Sequence, residues 1–199
     1  MIPALAQIVA LAFASGLNVY ATIAVLGLTE HYHLVTLPDQ FRVFDHPIVI
    51  GAAVVMYLVE FVADKIPWFD SVWDAVHTVI RPIGGALIAV NAIGAATPAS
   101  MALAALLGGT IAATTHVTKA ATRAAANVSP EPFSNWFLSL AEDVIAIGIS
   151  YVALQHPVAA AIAAIALFAT IISFAWMIVR WARRRSARLQ PSGVTGRSL

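Results

Sequence analysis

Cysteine is absent from the chain, so no disulfide forms and no thiolate holds a metal. Charge is nearly as scarce: 11% of the 199 residues are charged, against roughly 25% in an ordinary soluble domain. A solvated surface cannot be assembled from so little. In its place are apolar residues, 60% of the chain, with a mean hydropathy of +0.85. The bilayer is the expected solvent, and one bundle of membrane helices the expected domain. Net charge is +1, yet six of the eleven basic residues lie beyond Ile178. Without that tail the chain is mildly acidic, which excludes a nucleic-acid binder. The first apolar run has no basic leader or cleavage site before it and reads as a retained helix.

The pattern predicts an all-α, polytopic bundle of about six transmembrane helices: Pro3–Leu28, Pro47–Ala63, Asp70–Ala96, Pro98–Asn127, Phe133–Gln155 and Val158–Trp181. Asp70 reads as an N-cap, and Pro82 with Gly84-Gly85 as a kink or break in the third helix. Ser129-Pro130-Glu131-Pro132 separates the fourth and fifth helices. Residues 1–182 are the bundle, and 183–199 a basic, disordered cytoplasmic tail. Arg180, Arg183, Arg184, Arg185 and Arg188 put the C-terminus in the cytoplasm, and an even span count brings the N-terminus there too. The connections at Asp64–Asp70 and Asn127–Phe133 then share that face. Two trios of helices also admit a 3+3 inverted repeat with broken helices.

The remaining charge is concentrated. Eleven charged residues lie between Glu60 and Asp143, seven of them acidic and four basic. On helical spacing Asp70, Asp74, His77 and Arg81 share one stripe, and His116, Lys119, Arg123 and Asn127 share another. Glu142 and Asp143 follow on the fifth helix, beside Asn135 and Ser139. A charged side chain facing lipid costs roughly 3 kcal/mol at the bilayer centre, so these groups must face the bundle interior, water or the headgroups. The expected substrate-binding set is Asp70, Asp74, His77, Arg81, His116, Lys119, Arg123, Asn127, Glu142 and Asp143, lining a cavity open to the cytoplasm. Ser15, Asn18 and Thr22 form a further polar stripe in the first helix, read as packing glue. His31, His33 and His46 lack ligand spacing and read as solvated loop histidines.

No phosphate loop, nucleophile elbow or HExxH is present. Asp70, Asp74 and His77 have a spacing that suits a divalent metal, but two carboxylates and one histidine are a weak signal. No cofactor and no catalytic residue is therefore expected. SGLN in the first helix, DKIPWFDSVWDAVHTVIRP and HVTKAATRAAANVSPEPFSNWFLSLAED together resemble a bacterial membrane family, domain of unknown function DUF4126. The resemblance implies a multi-pass inner-membrane protein and brings no activity, substrate or catalytic residue. The residues themselves point to a small carrier of a charged solute or a lipid headgroup. The competing readings are a non-catalytic scaffold and, behind it, a metal-dependent enzyme acting on a lipid phosphate. Membrane lipids are the expected partners, and a second copy of the chain is admitted.

Overall fold

The computed structural model describes residues 2–35, 37, 39–127 and 132–189. The described chain is helical, with no strand among these residues: α1 (Ile2–Leu17), α2 (Val19–His31), a 3-10 helix (Asp39–Asp45), α3 (Pro47–Ala63), α4 (Pro67–Ile93), α5 (Pro98–Asn127), α6 (Pro132–Gln155) and α7 (Pro157–Leu189). Polarity is inverted relative to a soluble bundle. Leu103, Leu106, Ile162 and Phe137 are exposed, while Arg81, Lys119, Arg123, Glu60 and Asp143 are buried. Only an apolar surrounding makes that arrangement favourable. The chain is a membrane helical bundle.

Trp68–Ile93, Pro98–Ala124 and Trp136–Gln155 are long and apolar enough to cross a membrane; the 3-10 helix and α3, bent by 63°, make a fourth if taken as one span. The expected six is not reached on this measure. The main reason is the first helix, which is broken at Asn18 into pieces of 16 and 13 residues. Asn18 adopts an extended backbone (φ −154°, ψ 101°), and its side-chain oxygen accepts from Ala21 N as the N-cap of α2. The sixth predicted helix lies within α7, whose apolar run extends from Pro157 to Val179.

Two further expectations are corrected. The third predicted helix starts three residues early, with Pro67 in its first turn and Ile66, not Asp70, at the cap position. It also runs unbroken through Pro82, Gly84 and Gly85. Those glycines serve packing instead. A Cβ at Gly85 would lie 2.5 Å from Ala112 Cβ and 2.9 Å from Gly108 O, and one at Gly108 would lie 2.6 Å from Gly85 O. The α4 and α5 backbones therefore touch there, as small residues allow in membrane bundles. Gly16 brings α1 onto the same seam, since its Cβ would lie 2.6 Å from Ala112 O.

Around this seam Ile8, Leu11, Phe13, Ile88, Ala146 and Ala160 form the apolar core. Thr22 and Ser150 join α2 to α6 by a hydrogen bond of 3.3 Å, the gluing role expected of the first polar stripe. The break at Asn18 has no counterpart in α5, which is continuous over 30 residues. The two helix trios differ in this respect. At the other end α7 extends to Leu189, so residues 183–189 continue the helix; 190–199, and the 128–131 breaker, lie outside the described residues.

Candidate functional site

Three cations stand at the centre. Arg81 is about fourteen residues into α4, roughly 20 Å from its start at 1.5 Å per residue. Its Nη2 meets Glu60 Oε1 at 2.6 Å, and its Nη1 donates to Gly16 O at 3.1 Å and to His116 Nδ1 at 2.7 Å. Lys119 Nζ lies 3.4 Å from Glu60 Oε1, 3.4 Å from Asp64 Oδ2 and 3.5 Å from Glu142 Oε2, and donates to Leu17 O at 3.0 Å. Arg123 reaches Asp64 Oδ2 at 2.7 Å and Asp70 Oδ1 at 3.0 Å, and its Nε donates to Glu142 at 3.0 Å.

The helix break explains why the cations gather here. Ending α1 at Leu17 leaves carbonyls without helical donors, and they carry the partial negative charge of the helix C-terminus. Gly16 O and Leu17 O are those carbonyls, and Arg81 and Lys119 fill them. One half-helix thus supplies neutral acceptors where a complete helix would offer none.

The ring partners fix the state of His116 and the orientation of His77. A guanidinium only donates, so His116 Nδ1 accepts from Arg81 and its Nε2–H donates to Asp74 O at 3.0 Å. His116 is therefore neutral. His77 Nδ1 donates to Trp73 O at 2.7 Å, and its Nε2 pairs with the Tyr20 hydroxyl at 3.0 Å. His77 thus turns to α2 rather than to Asp74, although both lie on one stripe of α4.

Of the ten expected residues, Asp70, Asp74, Arg81, His116, Lys119, Arg123 and Glu142 join in one network. His77 sits at its edge with Tyr20, and among the described residues Asp143 pairs only with Asn18, whose Nδ2 donates to Asp143 Oδ1 at 3.0 Å. The Asn127 side chain lies outside the described residues. Glu60, Asp64 and Asn18 are site residues that the stripes on α4 and α5 did not include. The signal for two of them was present, because Glu60 and Asp64 share a face at i, i+4 just before the Pro67 turn. Among the described residues no three His, Asp or Glu side chains are arranged to hold a metal ion. Asp70 and His77, suggested as ligands by spacing, are engaged by Arg123 and Tyr20.

The space around the network is divided. A cleft of about 270 Å³ between α4 and α5 is lined by Asp70, Ser71, Asp74, Thr78, Arg123 and neighbouring alanines. On the other side of α5, a pocket of about 140 Å³ between α5, α6 and α7 reaches Lys119 and Glu142. The single cavity expected from the sequence is thus two spaces separated by α5. Asp64, in the turn between α3 and α4, lies outside the apolar spans. Burial opposes its ionisation, but Lys119, Arg123 and Arg81 outweigh burial and hold the carboxyl below the usual carboxylate range.

Residues 5–177 match the family described as domain of unknown function DUF4126. The chain belongs to the DUF4126 family. Neither a curated protein nor a solved structure matches it. The match runs from α1 into α7 and contains every residue of the charged network, so site and family domain coincide. For a DUF4126 protein the chemistry must accordingly be argued from the geometry.

Proposed function

We propose that the protein is a small inner-membrane carrier that moves a charged solute or a lipid headgroup, with the charged cluster as its site and the cleft between α4 and α5 as its way in from the cytoplasm. The observation that carries this reading is a charge imbalance among largely buried groups. Six carboxyls (Glu60, Asp64, Asp70, Asp74, Glu142, Asp143) face Arg81, Lys119 and Arg123, with Lys65 at the margin, a formal charge of 4 − 6 = −2 among the described residues. A network that only fixed helix positions would be expected to balance, because an uncompensated buried charge costs several kcal/mol. An excess of carboxyls suits a site that takes up protons or a cation as part of its work. Asp70, Asp74 and Arg123 line the cleft, so a ligand there meets both signs of charge. The broken first helix adds support, since discontinuous helices commonly mark the sites of membrane carriers.

The scaffold reading has one observation in its favour: every acid of the cluster except Asp143 lies within ion-pair distance of a cation. Transport separates the two readings. Reconstituted into liposomes, the protein is expected to pass protons or a charged solute down an imposed gradient. Asp74→Asn and Arg123→Lys should reduce that flux at least tenfold while the protein stays folded, since lysine keeps the charge but loses the two-pronged contact. Equal flux in wild type, both variants and empty liposomes would leave the scaffold.

A further inference from the structure

Asp143 differs from every other acid in the cluster. It is 2% exposed, and no basic nitrogen lies within ion-pair distance among the described residues. Among the described residues its single hydrogen-bond partner is Asn18 Nδ2, on Oδ1, while Oδ2 is buried without one. Asn18 cannot reverse this arrangement. Its side-chain oxygen caps α2 through Ala21 N, so its NH2 must face Asp143. One turn earlier on α6, the buried Ser139 Oγ also has no partner among the described residues.

We propose that Asp143 is a proton-binding site, holding a proton on Oδ2 in the described state and releasing it to water when the bundle opens. An ionised carboxylate with one bare oxygen is costly at this depth, and the neutral acid removes most of that cost. The surroundings agree. On α3 and its turn the groups whose charge Asp143 feels are Glu60, Asp64, Tyr57 and Lys65, and on α5 Lys119. Lys119 is already shared by Glu60, Asp64 and Glu142. Glu142 is its neighbour on α6, α1 carries no titratable side chain, α7 carries none before Arg180, and α2 brings Tyr20, bonded to His77. A hard cation gathers six or more oxygens; Asp143 Oδ2 and Ser139 Oγ are two, which favours the proton. The inference supplies the coupling ion of the proposed carrier, and it depends on that reading only for the use made of the proton.

Its test does not depend on transport. Infrared titration of the full chain in bilayers should show a protonated-carboxyl band at neutral pH that disappears in Asp143→Asn and persists in Asp70→Asn. Asp143→Asn should melt within about 4 °C of wild type, because an amide replaces a neutral acid with little change. Asn18→Ser keeps a good N-cap but removes the amide donor, and should shift the band without unfolding the protein. Absence of an Asp143 band at neutral pH would overturn the proposal, as would loss of the fold in Asp143→Asn. Sodium-dependent melting that Asp143→Asn removes would assign the site to a cation instead. If the band is found and flux is not, the proton site stands and the carrier falls.

Discussion

One helix pair, α4 against α5, is packed in two opposite ways along its length. Toward the ends of the helices that meet at Pro98, Gly85 and Gly108 bring the backbones into contact, with Ile88 and Ala89 buried beside them. Beyond Arg81 the same two helices meet through Arg81–His116, Thr78–His116 and Arg123–Asp70. The glycine half needs only apolar packing, with α1 laid on it through Gly16. The charged half is completed only by other elements: Glu60 and Asp64 from α3, Glu142 from α6, and the carbonyls of Gly16 and Leu17 at the end of α1. A half that borrows from three other helices responds to the movement of any of them, whereas a glycine seam is rigid. The contrast supports placing function in the charged half and the pivot in the glycine half.

The largest expected effect lies in the charged half. Arg123→Ala strands Asp70 and leaves Asp64 and Glu142 to Lys119 alone, and should destabilise the fold by about 3–5 kcal/mol. Adding Asp70→Asn should recover part of the loss, as read from denaturation in detergent; an additive double variant would mean that the two do not interact. In the glycine half, Gly108→Val should cost about 1–3 kcal/mol through overpacking. No far end of a flexible side chain can yield there, because the atoms a side chain would meet are Ala89 Cβ and the backbone of Gly85. Wild-type stability in that variant would show that the seam is looser than described.

A smaller effect is expected from acid. The Asp64 carboxyl is held below its ordinary range in the folded protein, so its contribution is present above about pH 4 and is lost as pH falls through the depressed folded value. Asp64→Asn should therefore lower the melting temperature near neutrality and flatten its decline below pH 4. A variant with an unchanged acid limb would assign that decline to other groups.

Much of the bundle was legible in the sequence because periodicity and proline positions are local signals. The α3 and α5 boundaries follow from Pro47, Pro98 and the residues that end each apolar run. The two charged stripes were legible for the same reason, and they do meet across α4 and α5. What was not legible depends on neighbours. Nothing local to Gly84-Gly85 distinguishes a kink from a contact, because the deciding atoms, Ala112 and Gly108, are on another helix. The break at Asn18 was equally hidden, since its run of apolar residues continues on both sides. It is maintained by Arg81 and Lys119, which donate to the carbonyls of Gly16 and Leu17, and by Asp143, which accepts from the Asn18 side chain. His77 shows the same dependence on neighbours: it shares a stripe with Asp74, yet its Nε2 pairs with a tyrosine on α2.

The most direct measurement compares the two halves by accessibility to water. The chain has no cysteine, so single replacements give an unambiguous signal. Ala75→Cys lies in the cleft beside Asp74, and Ala89→Cys lies buried on the glycine half of the same helix. In sealed vesicles of known orientation, a membrane-impermeant maleimide should label Ala75→Cys from the cytoplasmic side only and stop flux on reaction. Ala89→Cys should stay silent from both sides. Labelling of neither position, or of both alike, would contradict the division of this helix pair into a wet working half and a dry pivot.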